Sequence, residues 1–258
     1  MPHLKAFKSA LSGRAIWRGA ALAVLAVGLA AGATPPGATH AAERGEILFI
    51  DDFIRDTALR SADWEVIDPA AASMLTRLPG PATVAPPDLR FSSQHGLSFA
   101  GSPGEAQAGI QTRYGYTPPF RISAQATAER VGPGMFEIGI ATADARSGVA
   151  VVGGASPMAS GPGFVAFAGG DEGKAWRART DALASGPPTA GTPYDFIIDV
   201  DGDGVAHLYL QAAGRMLGAV QTPVGMGPFY VVIGQASGTA GQRNQTSWKG
   251  LTIRRPSR

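Results

Sequence analysis

Asp199-Val200-Asp201-Gly202-Asp203-Gly204 sets three carboxylates at alternating positions ahead of a glycine. Hard oxygens so spaced can wrap a calcium ion, and the glycine admits a sharp turn. An EF-hand would place a bidentate Glu at the twelfth position, where this chain has Leu210, and the flanks read as strands rather than helices. Two readings stay open. One is a β-hairpin whose Asp and Gly residues supply turn geometry. The other is a calcium site on that hairpin, held by Asp199, Asp201 and Asp203 with oxygens from elsewhere. Tyr114, Tyr116 and Trp176 form a second group, set among polar neighbours that include Gln111, Arg113, Lys174 and Arg177. Sugar rings stack their C–H faces on such aromatics while polar side chains bond the hydroxyls. The competing reading is that these rings cap the core or cover an edge. Trp64 and Trp248 read as core anchors. A hydrolytic triad needs a base, and after residue 42 only His95 and His207 remain. That count excludes a three-His zinc site. No G-x-S-x-G elbow and no phosphate loop ending in G-K-[ST] occurs.

The elements that must position these residues are strands. Ile122, Ala124, Ala126 and Ala128 alternate with Ser123, Gln125, Thr127 and Glu129, the period of a half-buried strand. Phe136, Ile138 and Ile140 alternate with Glu137, Gly139 and Ala141. Tyr194 to Val200 and Ala206 to Gln211 repeat the pattern, and 228–233 and 248–253 resemble them. Gly- and Pro-rich turns separate the runs, at the spacing of a sandwich or barrel. No amphipathic helix interrupts them after residue 42. The Pro-rich segment 68–90 reads as a long loop over one edge. Ile47 to Phe53 and Trp248 to Arg254 both look like strands, and pairing them would close the sheet.

The chain has 258 residues, 45% of them hydrophobic, with 35 Gly, 20 Pro and no Cys. The absence of Cys excludes disulfides, thiolate metal sites, a cysteine nucleophile and a lipid-modified N-terminal Cys. Residues 1–42 stand apart: Lys5, Lys8, Arg14 and Arg18 without an acid, then the 15-residue apolar run Gly19 to Ala33, then small residues. That is the make-up of a secretory signal peptide, and an uncleaved anchor is the competing reading. Export to the periplasm or the medium follows. The rest, 43–258, reads as one domain without a membrane span. It carries 18 basic and 20 acidic residues, so no charge excess draws it to nucleic acid.

Asp51-Asp52-Phe53 followed by Trp64, the strand pair 196–200 and 205–210 around an Asp/Gly turn, and a final Ser247-Trp248-Lys249-Gly250-Leu251-Thr252-Ile253 strand resemble the concanavalin A-like lectin and laminarinase jelly rolls. The resemblance spans residues 46–255 and implies an all-β, two-sheet antiparallel sandwich. Its curved sheet would bind carbohydrate on the concave face. Laminarinase-type glycosidases carry E-[IL]-D-[IF]-x-E on one strand, where period 2 brings three acids to one face. In Glu137-Ile138-Gly139-Ile140-Ala141-Thr142, Glu137 matches the first acid, Gly139 stands where the Asp belongs and Thr142 where the second Glu belongs. Glycoside hydrolysis needs two carboxyls.

The expectation is therefore an exported, non-catalytic sandwich that binds a glycan or polysaccharide through Tyr114, Tyr116, Glu137, Trp176 and Arg177, with calcium as the one candidate cofactor. Two alternatives remain. One is a divergent glycoside hydrolase using Glu137 with a remote carboxylate such as Asp144 or Asp171. The other is a structural or adhesive envelope module whose partner is a protein.

Overall fold

The computed structural model describes residues 45–68, 73–78, 83–99, 106–130, 134–154, 163–169, 175–236 and 245–257. The expected export segment, 1–42, lies outside them. Fifteen strands are described: β1 (Gly45–Asp51), β2 (Trp64–Val66), β3 (Leu89–Ser92), β4 (Gly96–Phe99), β5 (Gln107–Thr112), β6 (Phe120–Arg130), β7 (Met135–Ala141), β8 (Gly148–Gly154), β9 (Gly163–Ala168), β10 (Arg177–Ser185), β11 (Pro193–Val200), β12 (Val205–Ala212), β13 (Arg215–Pro223), β14 (Tyr230–Ala236) and β15 (Gln245–Pro256). They form two antiparallel sheets. One runs β13-β12-β11-β6-β15-β4-β3, with β1 also on β15. The other runs β10-β9-β8-β7-β14-β5-β2. Among the described residues no helix is long and apolar enough to cross a membrane.

Alternation explains the eight-stranded sheet. Phe120, Ile122, Ala124 and Ala126 of β6 are buried while Arg121, Ser123 and Gln125 are half-exposed, and β11 and β12 repeat this. The inward residues meet Ile110, Phe136, Ile138, Ile140, Val149 and Val151 of the other sheet in one core. Phe136, Phe196 and Trp248 lock its centre, with ring centroids 5.9–6.4 Å apart. The terminal strands pair as expected: Gly45 lies opposite Pro256 and Asp51 opposite Leu251.

The seven-stranded sheet behaves differently. Every residue of β7 and β8 is buried, on both faces. A second apolar cluster lies on the outer face, made by Met135, Ala141, Ala150, Val152, Phe167 and Val232 with Ile67, Met74, Leu75 and Leu78. The segment expected to loop over an edge instead lays a one-turn 3₁₀ helix, Leu75–Arg77, on this face. Its apolar residues overrode the loop reading: Met74 and Leu75 lose all contact with water there. The same segment also yields a strand, since β3 begins at Leu89.

Asp51 fixes the start of the fold. Its carboxylate is buried and accepts the Phe53 backbone N–H (3.0 Å), the Trp64 indole N–H (2.8 Å) and the Arg60 guanidinium (2.8 Å). Phe53 takes a left-handed backbone, φ 45°, so that the chain turns back over its own strand. Arg60 also donates to the Ile50 carbonyl and sits 5.9 Å from the Phe49 ring centroid. Removing the buried carboxylate strands the Phe53 amide and the Trp64 indole, while Arg60 keeps the Ile50 carbonyl and Asp63. Asp51→Ala is expected to destabilise by about 3 kcal/mol, lowering the melting midpoint by roughly 6–12 °C in a domain of this size. Arg55→Ala, which breaks only the exposed pair with Asp52, should shift it by under about 2 °C. Thermal unfolding of the two variants checks both.

Candidate functional site

Glu137 sits at the centre of the seven-stranded sheet. Period 2 sends Phe136, Ile138 and Ile140 inward and Glu137 and Gly139 to the outer face. Glu137 is not the wet surface residue that alternation suggested, because it is 1% exposed. The 73–78 segment is the reason. Gly234 of β14 is the register partner of both Glu137 and Gly109 of β5. A Cβ on Gly234 would lie 2.7 Å from Leu75 Cδ2 and 2.5 Å from Glu137 Oε1. One on Gly109 would lie 2.9 Å from Leu75 Cδ1, and one on Gly139 would lie 2.7 Å from Met74 Sδ. Leu75 and Met74 occupy the space over these three glycines, and at Gly139 and Gly109 the Val149 and Ile233 carbonyls stand too close to such a Cβ to leave room for one either. Glu137 Oε1 has no hydrogen-bond partner among the described residues, and burial pushes the carboxyl up to about 8.

No described carboxylate stands beside Glu137. Asp144 lies in the turn beyond Ala141, itself about 13 Å along the strand from Glu137. A glycosidic pair spans at most about 9.5 Å. Asp144 is held instead by the Thr142 hydroxyl (2.7 Å) and the Arg146 backbone N–H (3.1 Å), which keep it below the usual carboxylate range. Asp171 falls outside the described residues.

The aromatic set does not converge. Trp176 is buried, its indole donating to the Ala145 carbonyl at 3.1 Å. It fills the outer cluster because Gly148 and Gly169 leave room for its ring. Arg177 is exposed at the start of β10. Four strands separate β10 from β5, or roughly 24 Å at the usual strand spacing. Tyr114 and Tyr116 follow β5. Tyr116 is half-buried, 6.3 Å from the Phe120 ring, and burial pushes its phenol up to about 12. Tyr114 alone is an open ring, 64% exposed. Its turn is rigid: the Thr112 hydroxyl donates to the Tyr114 carbonyl (3.0 Å) and accepts the Val231 N–H (3.0 Å). Beside it runs a polar chain in which Gln111 donates to Glu65 (2.6 Å) and Arg113 pairs with Glu65 (3.5 Å). Tyr230 packs its ring against Gly115. Sequence reading missed Glu65 and Tyr230, which the β2–β5–β14 pairing brings to Gln111, Arg113 and Gly115, the chain neighbours of Tyr114.

The acidic hairpin uses its carboxylates locally. Asp201 Oδ1 accepts the Asp203 and Val205 N–H groups, both at 2.9 Å, and Oδ2 lies 3.3 Å from His207 Nε2. The Val205 N–H bond, with those from His207 and Asp203, holds Asp201 below its ordinary range. Asp199 faces away along the sheet and pairs with Arg121 at 2.5 Å. Among the described residues no group of three or more His, Asp or Glu side chains is placed to hold a metal ion. His95 and Ser247 do not pair as base and nucleophile, since both bond the same Glu129 oxygen, at 3.1 and 2.7 Å.

No family model matches the chain, and no curated protein does. Solved structures do. A structure titled for endo-acting O-glycanases that initiate mucin breakdown, from the human gut microbiota, superposes with TM-score 0.60 at 11% identity, over 82% of this chain and 100% of that one. A Mycobacterium tuberculosis protein described as an immunostimulatory antigen and pseudo β-1,3-glucanase gives 0.57 at 10%, over 83% and 100%. The carbohydrate recognition domain of Emp47p gives 0.53 at 8%, over 81% and 95%. The likeness fixes the fold: the chain is a concanavalin A-like jelly roll.

Burial of Glu137 has a signed pH signature. Its carboxyl is raised from 4.5 to about 8 in the folded state, so the folded chain holds a proton there that the unfolded chain has released. Its contribution is nil below pH 4.5, becomes destabilising as pH rises to about 8, and is constant above. Glu137→Gln should therefore gain stability relative to the parent between pH 5 and 9, by on the order of 4 kcal/mol. Urea unfolding of both proteins at pH 5, 7 and 9 measures the difference. A flat difference would mean that Glu137 is hydrated.

Proposed function

We propose that this jelly roll is an exported, non-catalytic carbohydrate-binding protein. The observation that carries the reading is the state of Glu137: the one acid on the signature strand is sealed beneath the chain's own Leu75, with no described carboxylate beside it. Acid–nucleophile hydrolysis has no second partner there. Binding needs less, namely a fixed aromatic and a few convergent polar groups. Tyr114, with Arg113, Glu65, Gln111 and Tyr230, supplies them at the β5 end of the seven-stranded sheet. The carbohydrate-directed activity or recognition by which the similar structures are described supports the ligand class, and the basic-then-apolar N-terminus supports export.

The test is thermal unfolding against a β-1,3-glucan oligosaccharide and a mucin-type O-glycan, with and without Ca²⁺. A ligand at one hundred times its dissociation constant stabilises the native state by about 2.7 kcal/mol, read as a raised midpoint. Tyr114→Ala is expected to weaken glycan binding by roughly two- to tenfold, in line with the loss of one stacking contact of about 0.5–1.5 kcal/mol. Glu137→Gln should leave it unchanged at pH 6, where both side chains are neutral. Released sugar that disappears in Glu137→Gln would instead establish the hydrolase. A panel without any shift would point to the envelope module with a protein partner.

A further inference from the structure

We infer that the outer face of the seven-stranded sheet is a ligand groove stoppered by the chain itself, with Met74 and Leu75 as the stopper and Glu137 on its floor. Three observations carry this. The floor is cut from glycine: Gly109, Gly139 and Gly234 come from three neighbouring strands, and a Cβ on each would meet Met74 or Leu75, at Gly109 and Gly139 together with a neighbouring strand's backbone. Glycine in a strand interior weakens the strand and marks close approach of a ligand or another chain segment. Next, the stopper is held by side chains rather than by sheet. Residues 73–78 join no strand. The Arg77 and Leu78 N–H groups turn back to the Met74 carbonyl, at 2.9 and 3.2 Å, and the Thr76 hydroxyl to the Ser73 carbonyl. The described backbone bond from this segment to the rest of the fold is the Trp176 N–H to the Arg77 carbonyl, at 2.9 Å.

Glu137 completes the case. Its Oε1 and the Ser73 hydroxyl are both buried without a hydrogen-bond partner among the described residues. In a permanent core a Leu or Met at position 137 would be the more stable choice, since an unpaired buried carboxyl is a net loss. The same carboxyl is satisfied once the stopper lifts. It then stands on a flat glycine floor, with Val152 of β8 and Gly234 of β14 on either side and Val232 of β14 beside Gly139. Flat apolar floor with one hydrogen-bonding carboxyl suits the face of a sugar ring. The ligand class rests on the carbohydrate reading above, whereas the opening does not. Local opening of a weakly bonded segment, below the threshold of global unfolding, is the physical process required.

Native-state hydrogen exchange on the full chain tests the opening without any ligand. The Arg77, Leu78 and Trp176 amides are expected to exchange at least 100-fold faster than those of Ile138 and Ile140 in β7. Exchange of both sets at one common rate, with one common urea dependence, would overturn the stopper. Met74→Ala with Leu75→Ala tests the ligand side. Titrated with the β-1,3-glucan oligosaccharide and the O-glycan, it should bind one of them at least tenfold tighter than the parent, and adding Glu137→Gln should abolish the gain. Equal affinity in parent and double variant would overturn gating by residues 73–78. Fast exchange with no glycan bound by any form would sink the carbohydrate reading and leave the stopper standing. If the double variant fails to fold, the exchange experiment on the parent still decides the opening.

Discussion

Asp51 is the residue on which the geometry of the site depends. It closes the first strand, and its carboxylate gathers a backbone amide, an indole and a guanidinium within one turn of chain. That knot delivers Trp64 into the core and places β2 beside β5. From there the Ile67 amide reaches the Gly109 carbonyl at 3.0 Å, and the chain is led up onto the outer face of the seven-stranded sheet. The site is thus downstream of a charge buried at the opposite sheet's first strand. Arg60 stays partly wet, so the pair avoids the full desolvation of a buried ion pair while keeping its directionality.

The two sheets meet different demands with the same alternating pattern. The eight-stranded sheet shows water a face of Arg, Asp, Gln and Ser laced by cross-strand bonds, such as Gln125 to Asp195 at 2.8 Å. Its polar face is stabilised one pair at a time. The seven-stranded sheet has traded that arrangement for a second apolar layer. A polar residue there must either find a partner or remain neutral, and Glu137 remains neutral. Burial therefore sets the chemistry of this carboxyl more than its sequence neighbours do.

Much of the fold was legible because one face of β6, β11 and β12 is wet, which imprints period 2 on the residues themselves. The pairing of the first and last strands was legible for another reason: both ends read as strands that a sandwich closes by pairing, although β1 itself does not alternate. Glu137 was found, but its surroundings were not: MFEIGIA reads as half-buried only if nothing lies above Glu137 and Gly139. What lies above them comes from more than sixty positions earlier, in a Pro-rich segment whose adjacent Met74 and Leu75 show no strand alternation. A signal was present, since Gly139 stands in the middle of an otherwise regular strand. Tyr114 and Trp176 have similar polar neighbours in sequence, yet one is open and the other buried. Gly148 and Gly169 make that difference, and neither is adjacent to Trp176 in sequence. Asp201 was ambiguous between turn and metal because both use the same oxygens, and in the turn its Oδ1 accepts the Asp203 and Val205 amides.

The β1–β15 ladder bears on how the domain carries load. Gly45 and Pro256 are register partners, so the ladder's two free ends lie at the same edge. Tension applied between those ends does not shear the ladder, which would break its bonds together. It peels them in sequence, starting at Gly45 and Pro256. Peeling runs inward until it reaches Asp51, where the indole and guanidinium bonds arrest it. The fold thus yields under a pull for the length of one strand, giving up the packing of Leu48 and Phe49 on the core, and then stiffens.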